Sequence, residues 1–161
     1  MTATKPTVVF LHGSWHNPNH FTPVRAVFEK AGYSTECPLQ ATYNAKPAPP
    51  VVGIEDDVKV VQALLWKLLG EGKEVIFALH SFGGVLGTEA IREEFGMKSR
   101  KEKGLPGGVL ALLYICGFVL PVGSSLESAF AGLGGLPRWI KVKVRANSMI
   151  FLHVARNPEV T

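Results

Sequence analysis

The stretch that decides the fold of this chain spans residues 75 to 85 and reads Val75-Ile76-Phe77-Ala78-Leu79-His80-Ser81-Phe82-Gly83-Gly84-Val85. An apolar run breaks at a serine, and a helical pattern begins directly after it. This order is typical of a nucleophile elbow, in which a strand turns sharply into a helix and exposes a serine hydroxyl. Small neighbours such as Gly83 and Gly84 suit this turn, because it brings backbone segments close together at strained dihedral angles. The pattern predicts Ser81 as a nucleophile on a strand-to-helix turn.

The strand and helix patterns alternate in the order that predicts a parallel sheet. Strand patterns occupy residues 7–11, 33–37, 75–79 and 108–116, and helical patterns occupy residues 21–31, 54–69 and 82–95. This alternation predicts an α/β fold with an open, mainly parallel sheet and helices on both faces. Ligands bind beyond the carboxyl ends of the strands in such sheets. Since Ser81 and the turn His12-Gly13-Ser14 both follow strand ends, we expect them to face one crevice.

The composition is that of one globular domain. The 161 residues are 47% hydrophobic with a mean hydropathy of +0.18, so the chain can bury a real core. We assign residues 1–121 to the α/β core and residues 122–161 to the start of a cap or an irregular C-terminal segment. No charged leader precedes an apolar stretch at the N-terminus, so we expect a cytoplasmic protein.

Charge and apolar runs argue against nucleic-acid and membrane partners. Much of the net charge of +4 lies in residues 98–103, a run without aromatic residues that we interpret as a solvated loop. The apolar stretch 109–120 is shorter than the about 20 residues that a bilayer requires, and it predicts a buried strand with its exit loop. Cys37 and Cys116 are predicted to be buried free thiols, since no metal-ligand motif occurs.

A serine hydroxyl is a weak nucleophile at neutral pH. It needs a base to take its proton, a carboxylate to hold that base, and hydrogen-bond donors for the oxyanion. The backbone N–H of Phe82, at the start of the helix, is one predicted donor. The second is expected from the turn at His12-Gly13-Ser14, where the backbone can approach closely.

At these residues the chain resembles the α/β-hydrolase superfamily, and within it the branch of salicylate-binding-type methyl esterases, hydroxynitrile lyases and fungal homologues. The matching segments are residues 8–16, 28–33, 80–84 and 109–121. The resemblance implies that the chain hydrolyses a carboxylic ester or a related small acyl substrate through an acyl-serine intermediate, without a metal or organic cofactor. It implies Ser81 as nucleophile and the N–H groups of Ser14 and Phe82 as oxyanion hole. His12, Gly13, Trp15 and His16 are then expected to line the substrate pocket.

Two departures from this family stand in the sequence. Leu79 replaces the usual glycine two residues before the serine, which a neighbour of reduced size could accommodate. No Asp follows Ser81, and His153 is the only histidine after it, so the family order of nucleophile, acid and histidine is offered by Ser81, Glu127 and His153. His153 lies in an apolar stretch that is more typical of packing. We therefore expect a chain that stops within the cap and a sheet that is incomplete on its C-terminal side.

Three interpretations remain open at this stage. The first is a serine esterase, the second a non-catalytic ligand-binding protein on the same scaffold, and the third an inactive truncated fragment. An incomplete sheet would leave the strand at 109–116 without an outer neighbour, unless residues 140–154 fold back over it. That apolar edge predicts self-association.

Overall fold

The computed structural model describes residues 5–44, 52–132, 134–135, 140–145 and 148–154. Its helices and strands are β1 (Thr7–Leu11), α1 (Thr22–Lys30), β2 (Thr35–Glu36), α2 (Ile54–Gly70), β3 (Glu74–His80), α3 (Gly83–Ala90), α4 (Met97–Glu102), β4 (Gly108–Ile115), α5 (Leu126–Gly132), β5 (Ile140–Arg145) and β6 (Ser148–Val154). Short 3₁₀ helices cover Pro18–Phe21, Ala41–Asn44 and Glu93–Phe95. None of the helices in these ranges is long and apolar enough to cross a membrane.

Four parallel strands form the central sheet in the order β2-β1-β3-β4. The inner pair, β1 and β3, is in register from Thr7 opposite Val75 to Leu11 opposite Leu79. Because the two strands run in the same direction and end level, the loops that follow them leave from the same edge of the sheet. The predicted open parallel sheet is confirmed.

Helices cover both faces of this sheet, as predicted. Val9 and Leu11 of β1 point into the larger core, where α2 and α3 supply buried residues such as Leu65 and Leu86. The alternate residues Val8 and Phe10 point into a smaller core on the other face, against which Phe28 of α1 packs. This period of two is that of a strand buried on both sides. Fully burying one such side chain stabilises the fold by about 1.5–3 kcal/mol.

The helix after the elbow is shorter than predicted. The pattern indicated a helix through Phe95, but α3 ends at Ala90 and Ile91 takes an extended backbone. This break, followed by the 3₁₀ helix Glu93–Phe95, turns the Phe95 ring into the core, where it lies 4.8 Å from the Trp66 ring. Burial of this side chain therefore overrides the helical pattern.

The interpretation of residues 98–103 as a solvated loop is wrong. Residues Met97–Glu102 form α4, and Arg100 is buried. Its guanidinium donates hydrogen bonds to the carbonyl oxygens of Pro106 at 2.9 Å and Gly107 at 3.2 Å. The cation thus holds the turn that leads into β4, which explains how a buried arginine is satisfied here.

The strand β4 is not buried as predicted. Leu110, Leu113 and Ile115 are 44%, 54% and 41% exposed, because β4 forms the edge of the four-stranded sheet. The segment 140–154 does not pair with it, since β5 and β6 form a separate antiparallel pair. Cys116 directly after β4 is exposed, contrary to prediction, and Cys37 is half-buried.

The fold accommodates Leu79 as the sequence suggested, through a small neighbour. A Cβ atom at Gly87 of α3 would lie 2.5 Å from Leu79 Cδ2 and 2.9 Å from Cδ1. The Leu79 side chain is fully buried, so it has no free space into which to retreat. Gly87 therefore supplies the room that the larger residue before the elbow requires.

We expect Gly87→Ala to destabilise the protein. Overpacking costs about 1–3 kcal/mol, which outweighs the about 1 kcal/mol gained by replacing glycine within a helix. Leu79→Ala alone should lower the free energy of unfolding by about 2–5 kcal/mol. The double variant should lose less than the sum of the two single losses, because the Cβ at position 87 no longer meets the Leu79 side chain. Urea unfolding measures all three. Gly70→Ala is the control, since nothing lies within 4 Å of its added Cβ. Additive losses would contradict the size match.

We also expect β4 to mediate self-association, because its edge is apolar and carries no charge or proline that would discourage pairing. Leu113→Lys should lower the average mass measured by light scattering over a concentration series. Val27→Lys is the matched control, since Val27 is equally apolar and 66% exposed on α1. A wild-type monomer at every concentration, with a cooperative thermal transition, would contradict this expectation.

Candidate active site

Ser81 occupies the strained turn between β3 and α3. Its φ is +53°, a left-handed conformation that side-chain-bearing residues rarely adopt. Among the non-glycine residues that the structure describes, Trp15 and Cys116 share this feature, with φ of +64° and +45°. All three follow the carboxyl ends of sheet strands, β3, β1 and β4 respectively. The predicted elbow at Ser81 is confirmed.

Close packing and hydrogen bonds hold this turn in place. The Ser81 carbonyl oxygen accepts hydrogen bonds from the backbone N–H of Gly84 at 2.9 Å and of Phe118 at 3.1 Å. A Cβ atom at Gly83 would collide with the Leu11 carbonyl oxygen, and one at Gly84 would lie 2.6 Å from that of Phe118. Both glycines are therefore required because backbone from neighbouring strand ends presses on the start of α3.

The loop after β1 contacts Ser81 directly. A Cβ at Gly13 would lie 2.8 Å from Ser81 Cβ and 3.2 Å from Ser81 Oγ. This contact confirms that the two predicted motifs face one crevice. The backbone N–H groups of Ser14 and Phe82 start one residue from the contact, and no protein group in the described ranges accepts a hydrogen bond from either. Phe82 follows Ser81 and Ser14 follows Gly13, so each of these two N–H groups lies next to one partner of the contact.

His12, predicted to line the pocket, is 1% exposed and bonded within the protein. The Gln40 backbone N–H donates to its Nε2 at 3.3 Å, and its Nδ1 lies 3.1 Å from the Gly13 carbonyl oxygen. Since Nε2 accepts, the proton must sit on Nδ1, which donates to Gly13. Burial lowers the pKa of His12 below its ordinary value of 6.5, and this opposes protonation of Nε2.

Trp15 and His16 follow Ser14 in the loop after β1. The Trp15 side chain is 46% exposed. His16 is half-buried, with Nδ1 3.0 Å from the Ser14 carbonyl oxygen. Its ring stands edge-on to those of His80 and His20, at centroid distances of 5.3 and 5.0 Å. Burial, with a further contribution from His16, lowers the pKa of His80. The buried Nδ1 of His80 has no hydrogen-bond partner in the described part of the chain.

Glu127 and His153 lie on elements outside the central sheet. Glu127 is exposed on α5, and His153 is opposite Lys141 in the pair of β5 and β6. Among the residues up to 132 whose side chains the structure describes, no hydrogen bond joins Ser81 Oγ to a histidine or a carboxylate. The same residues contain no group of His, Cys, Asp and Glu that could hold a metal ion. The internal triad stays a prediction.

Sequence reasoning missed Asp57, Thr42 and Gln40. Asp57 is fully buried on α2, where its two carboxylate oxygens accept hydrogen bonds from Thr42 N at 2.9 Å and Thr42 Oγ1 at 2.7 Å. The available signal was its position four residues before Val61, on the apolar stripe of the helix.

The lowered pKa of His12 predicts acid sensitivity. The unfolded chain takes up a proton near pH 6.5, whereas folded His12 takes it up only at lower pH, so the free energy of unfolding should fall as pH drops through this interval. Urea unfolding between pH 8 and 5 measures the decline, and His12→Gln should reduce it. A His12 that titrates at or above 6.5 by NMR would contradict this.

Comparisons with known proteins agree with this geometry. The profile of the alpha/beta hydrolase family matches residues 8–158. The protein "Alpha/beta hydrolase nvfD" of Aspergillus novofumigatus is 28% identical over 125 residues, which cover 76% of this chain and 47% of that protein. The Phoma protein "Probable hydrolase R7" is 25% identical over 132 residues, which cover 82% and 50%. The chain thus spans about half the length of the curated relatives it matches.

Two solved structures share the fold. An extracellular alpha/beta-hydrolase from a Paenibacillus species, described as homologous to tobacco salicylic acid binding protein 2, superposes with a TM-score of 0.58 at 21% identity, covering 78% of this chain and 46% of that one. A polyneuridine aldehyde esterase mutant gives a TM-score of 0.63 at 14% identity, covering 89% and 55%. With the elbow at Ser81 and the family match over residues 8–158, the chain belongs to the α/β-hydrolase family.

Proposed function

We propose that this chain carries the nucleophile and oxyanion hole of a serine hydrolase that cleaves small carboxylic esters. The observation that carries this proposal is the contact between Ser81 and Gly13, flanked by the free N–H groups of Ser14 and Phe82. A serine at positive φ is costly, by about 1–3 kcal/mol, and such strain clusters at active sites. Ser81 is one of three described non-glycine residues that carry such strain, and it is the one that the proposed chemistry uses as nucleophile.

The proposed reaction has two halves. Ser81 Oγ attacks the ester carbonyl carbon, and the N–H groups of Ser14 and Phe82 stabilise the oxyanion of the tetrahedral intermediate. Collapse expels the alcohol and leaves an acyl-serine, which water then hydrolyses by the reverse sequence. The base that takes the Ser81 proton is the open role, and Glu127 with His153 is the candidate pair within this chain.

Several observations support a small ester as substrate. The resemblance to methyl esterases points in this direction, as does the esterase among the structural neighbours. The ring of His80, the residue before Ser81, packs against the rings of His16 and Phe21 at centroid distances of 5.3 and 6.0 Å. We propose that Trp15 and His16 contact the substrate directly. Because the His12 ring is buried, we propose that it supports this site from within the fold.

We extend the proposal to a cytoplasmic location. The two cysteines support it, since both are free thiols, as is usual in reducing compartments. Burial raises the pKa of the Cys37 thiol to about 11, so this residue is expected to stay protonated. Fractionation of the native host with an antibody tests the location.

A ligand-binding protein on the same scaffold is the second candidate. One observation favours it: among the residues up to 132 whose side chains the structure describes, no base is hydrogen-bonded to Ser81 Oγ. A binder would take up an ester without forming a covalent adduct, so the two candidates differ in the fate of Ser81.

We expect the 161-residue chain to react at Ser81 but to turn over a chromogenic short-chain ester weakly. Triad enzymes that lack their base retain only about 10³–10⁴-fold catalysis over water. Intact-mass spectrometry after incubation with a fluorophosphonate should detect one adduct, which Ser81→Ala abolishes and Ser128→Ala, a serine-to-alanine control on α5, leaves unchanged.

The outcomes separate the candidates. Ester binding without any Ser81 adduct would contradict the hydrolase and support the ligand-binding protein. Robust turnover that disappears in both Glu127→Ala and His153→Ala would contradict the expected weak activity and identify these two residues as the acid and the base.

A further inference from the structure

We infer that Gln40 and Asp57 are positioning residues that fix the peptide unit between Gly13 and Ser14 and thereby aim the Ser14 N–H at the oxyanion. The inference rests on the proposed function, since that N–H is there an oxyanion donor. The contacts run from α2 through the 3₁₀ helix Ala41–Asn44 to the loop after β1. We call residues 12–16 the oxyanion loop.

Gln40 holds the oxyanion loop at two points. Its side-chain Nε2 donates to the His12 carbonyl oxygen at 2.6 Å, and its backbone N–H donates to His12 Nε2 at 3.3 Å. Gln40 is 5% exposed and His12 is 1% exposed, so water cannot readily replace either bond. The glutamine therefore sets both the backbone and the ring tautomer of His12.

His12 passes this constraint to the next peptide unit. With Nε2 accepting, Nδ1 carries the proton and donates to the Gly13 carbonyl oxygen at 3.1 Å. The His16 backbone N–H donates to the same oxygen at 3.2 Å. Because a peptide unit is planar, fixing the Gly13 oxygen also fixes the direction of the Ser14 N–H on its opposite side. The carbonyl oxygen of this peptide unit is thus hydrogen-bonded within the protein, whereas its N–H stays free to donate to a ligand.

Asp57 anchors the other end of this arrangement. Its two oxygens bind the backbone N–H and hydroxyl of Thr42, two residues beyond Gln40. Asp57 is 0% exposed, and a buried carboxylate is stable only while such bonds are made. The Tyr43 hydroxyl adds a second tie, since it accepts from Asn17 Nδ2 at 2.7 Å. The segment that carries Gln40 is thus held to α2 before any substrate binds.

The test compares two glutamines that make the same type of bond. Gln40→Met removes the donor to His12, whereas Gln62→Met removes the Nε2 donor to the Ala90 carbonyl oxygen at 3.1 Å, away from the site. Misplacing a reacting group by about 1 Å costs about 10²-fold. We therefore expect Gln40→Met to slow fluorophosphonate labelling of Ser81 by about 10- to 100-fold. Gln62→Met should label at the wild-type rate.

A second readout does not depend on labelling. Amide hydrogen exchange at Gly13 and Ser14 should be faster in Gln40→Met than in the wild type and in Gln62→Met, because the side-chain bond to the His12 carbonyl oxygen is lost. Imidazole ¹⁵N spectra should keep the Nδ1–H tautomer of His12 in all three proteins, because the backbone N–H of residue 40 still donates to Nε2. Thr42→Val keeps the side-chain shape but loses the hydroxyl bond to Asp57. It should slow labelling less than Gln40→Met, and it replaces that variant in the comparison if Gln40→Met fails to fold.

The outcomes are distinguishable. Folded Gln40→Met that labels at the wild-type rate would overturn the inference. Wild-type protein that never labels would instead contradict the proposed function. In that case, amide hydrogen exchange at Gly13 and Ser14 tests the positioning role of Gln40. Faster exchange in Gln40→Met than in Gln62→Met would support this role, and equal exchange would overturn it.

Discussion

The close approach of Gly13 to Ser81 is the constraint on which the rest of the site depends. It arises because β1 and β3 end level, with Leu11 opposite Leu79, so that their exit loops must share one small volume. A single added carbon at Gly13 would lie 2.8 Å from Ser81 Cβ. Gly83 is subject to the same restriction from the Leu11 carbonyl. The geometry of the nucleophile is thus a consequence of strand register and of two residues without side chains.

Strain at Ser81 persists because the surrounding structure offers no relaxed alternative. Its carbonyl oxygen is bound by two backbone N–H groups, one from α3 and one from the loop after β4. Rotating the residue to negative φ would break both bonds, each of which contributes about 0.5–1.5 kcal/mol. It would also separate Ser81 from the oxyanion loop. These bonds and the packing of the sheet therefore offset the conformational free energy that the turn at Ser81 costs.

Local patterns were enough to predict the strands and the elbow, because each depends on neighbours in sequence. The general rule that loops after parallel strands leave from one edge then placed the Gly13 and Ser81 loops together. Local patterns also suggested a small partner for Leu79, and Gly87 confirms this. The errors lie where distant residues decide. Arg100 is buried by the carbonyls that precede β4, and Asp57 by Thr42, fifteen positions away. The exposure of β4 likewise depends on which strands pair, and a strand's own sequence does not state this.

Under the proposed function, the arrangement of donors also explains how the oxyanion hole can be formed independently of the base. Oxyanion stabilisation requires dipoles that are fixed before the substrate arrives, and here the Gly13–Ser14 peptide is held from its carbonyl side by buried groups. Proton transfer has no such requirement on this loop, since a general base contributes about 10²–10⁴-fold from any position within hydrogen-bond reach of the serine. In the proposed mechanism, the segments that follow β1 and β3 therefore supply the oxyanion donors, which must be held rigidly. The base needs only to lie within hydrogen-bond distance of Ser81 Oγ.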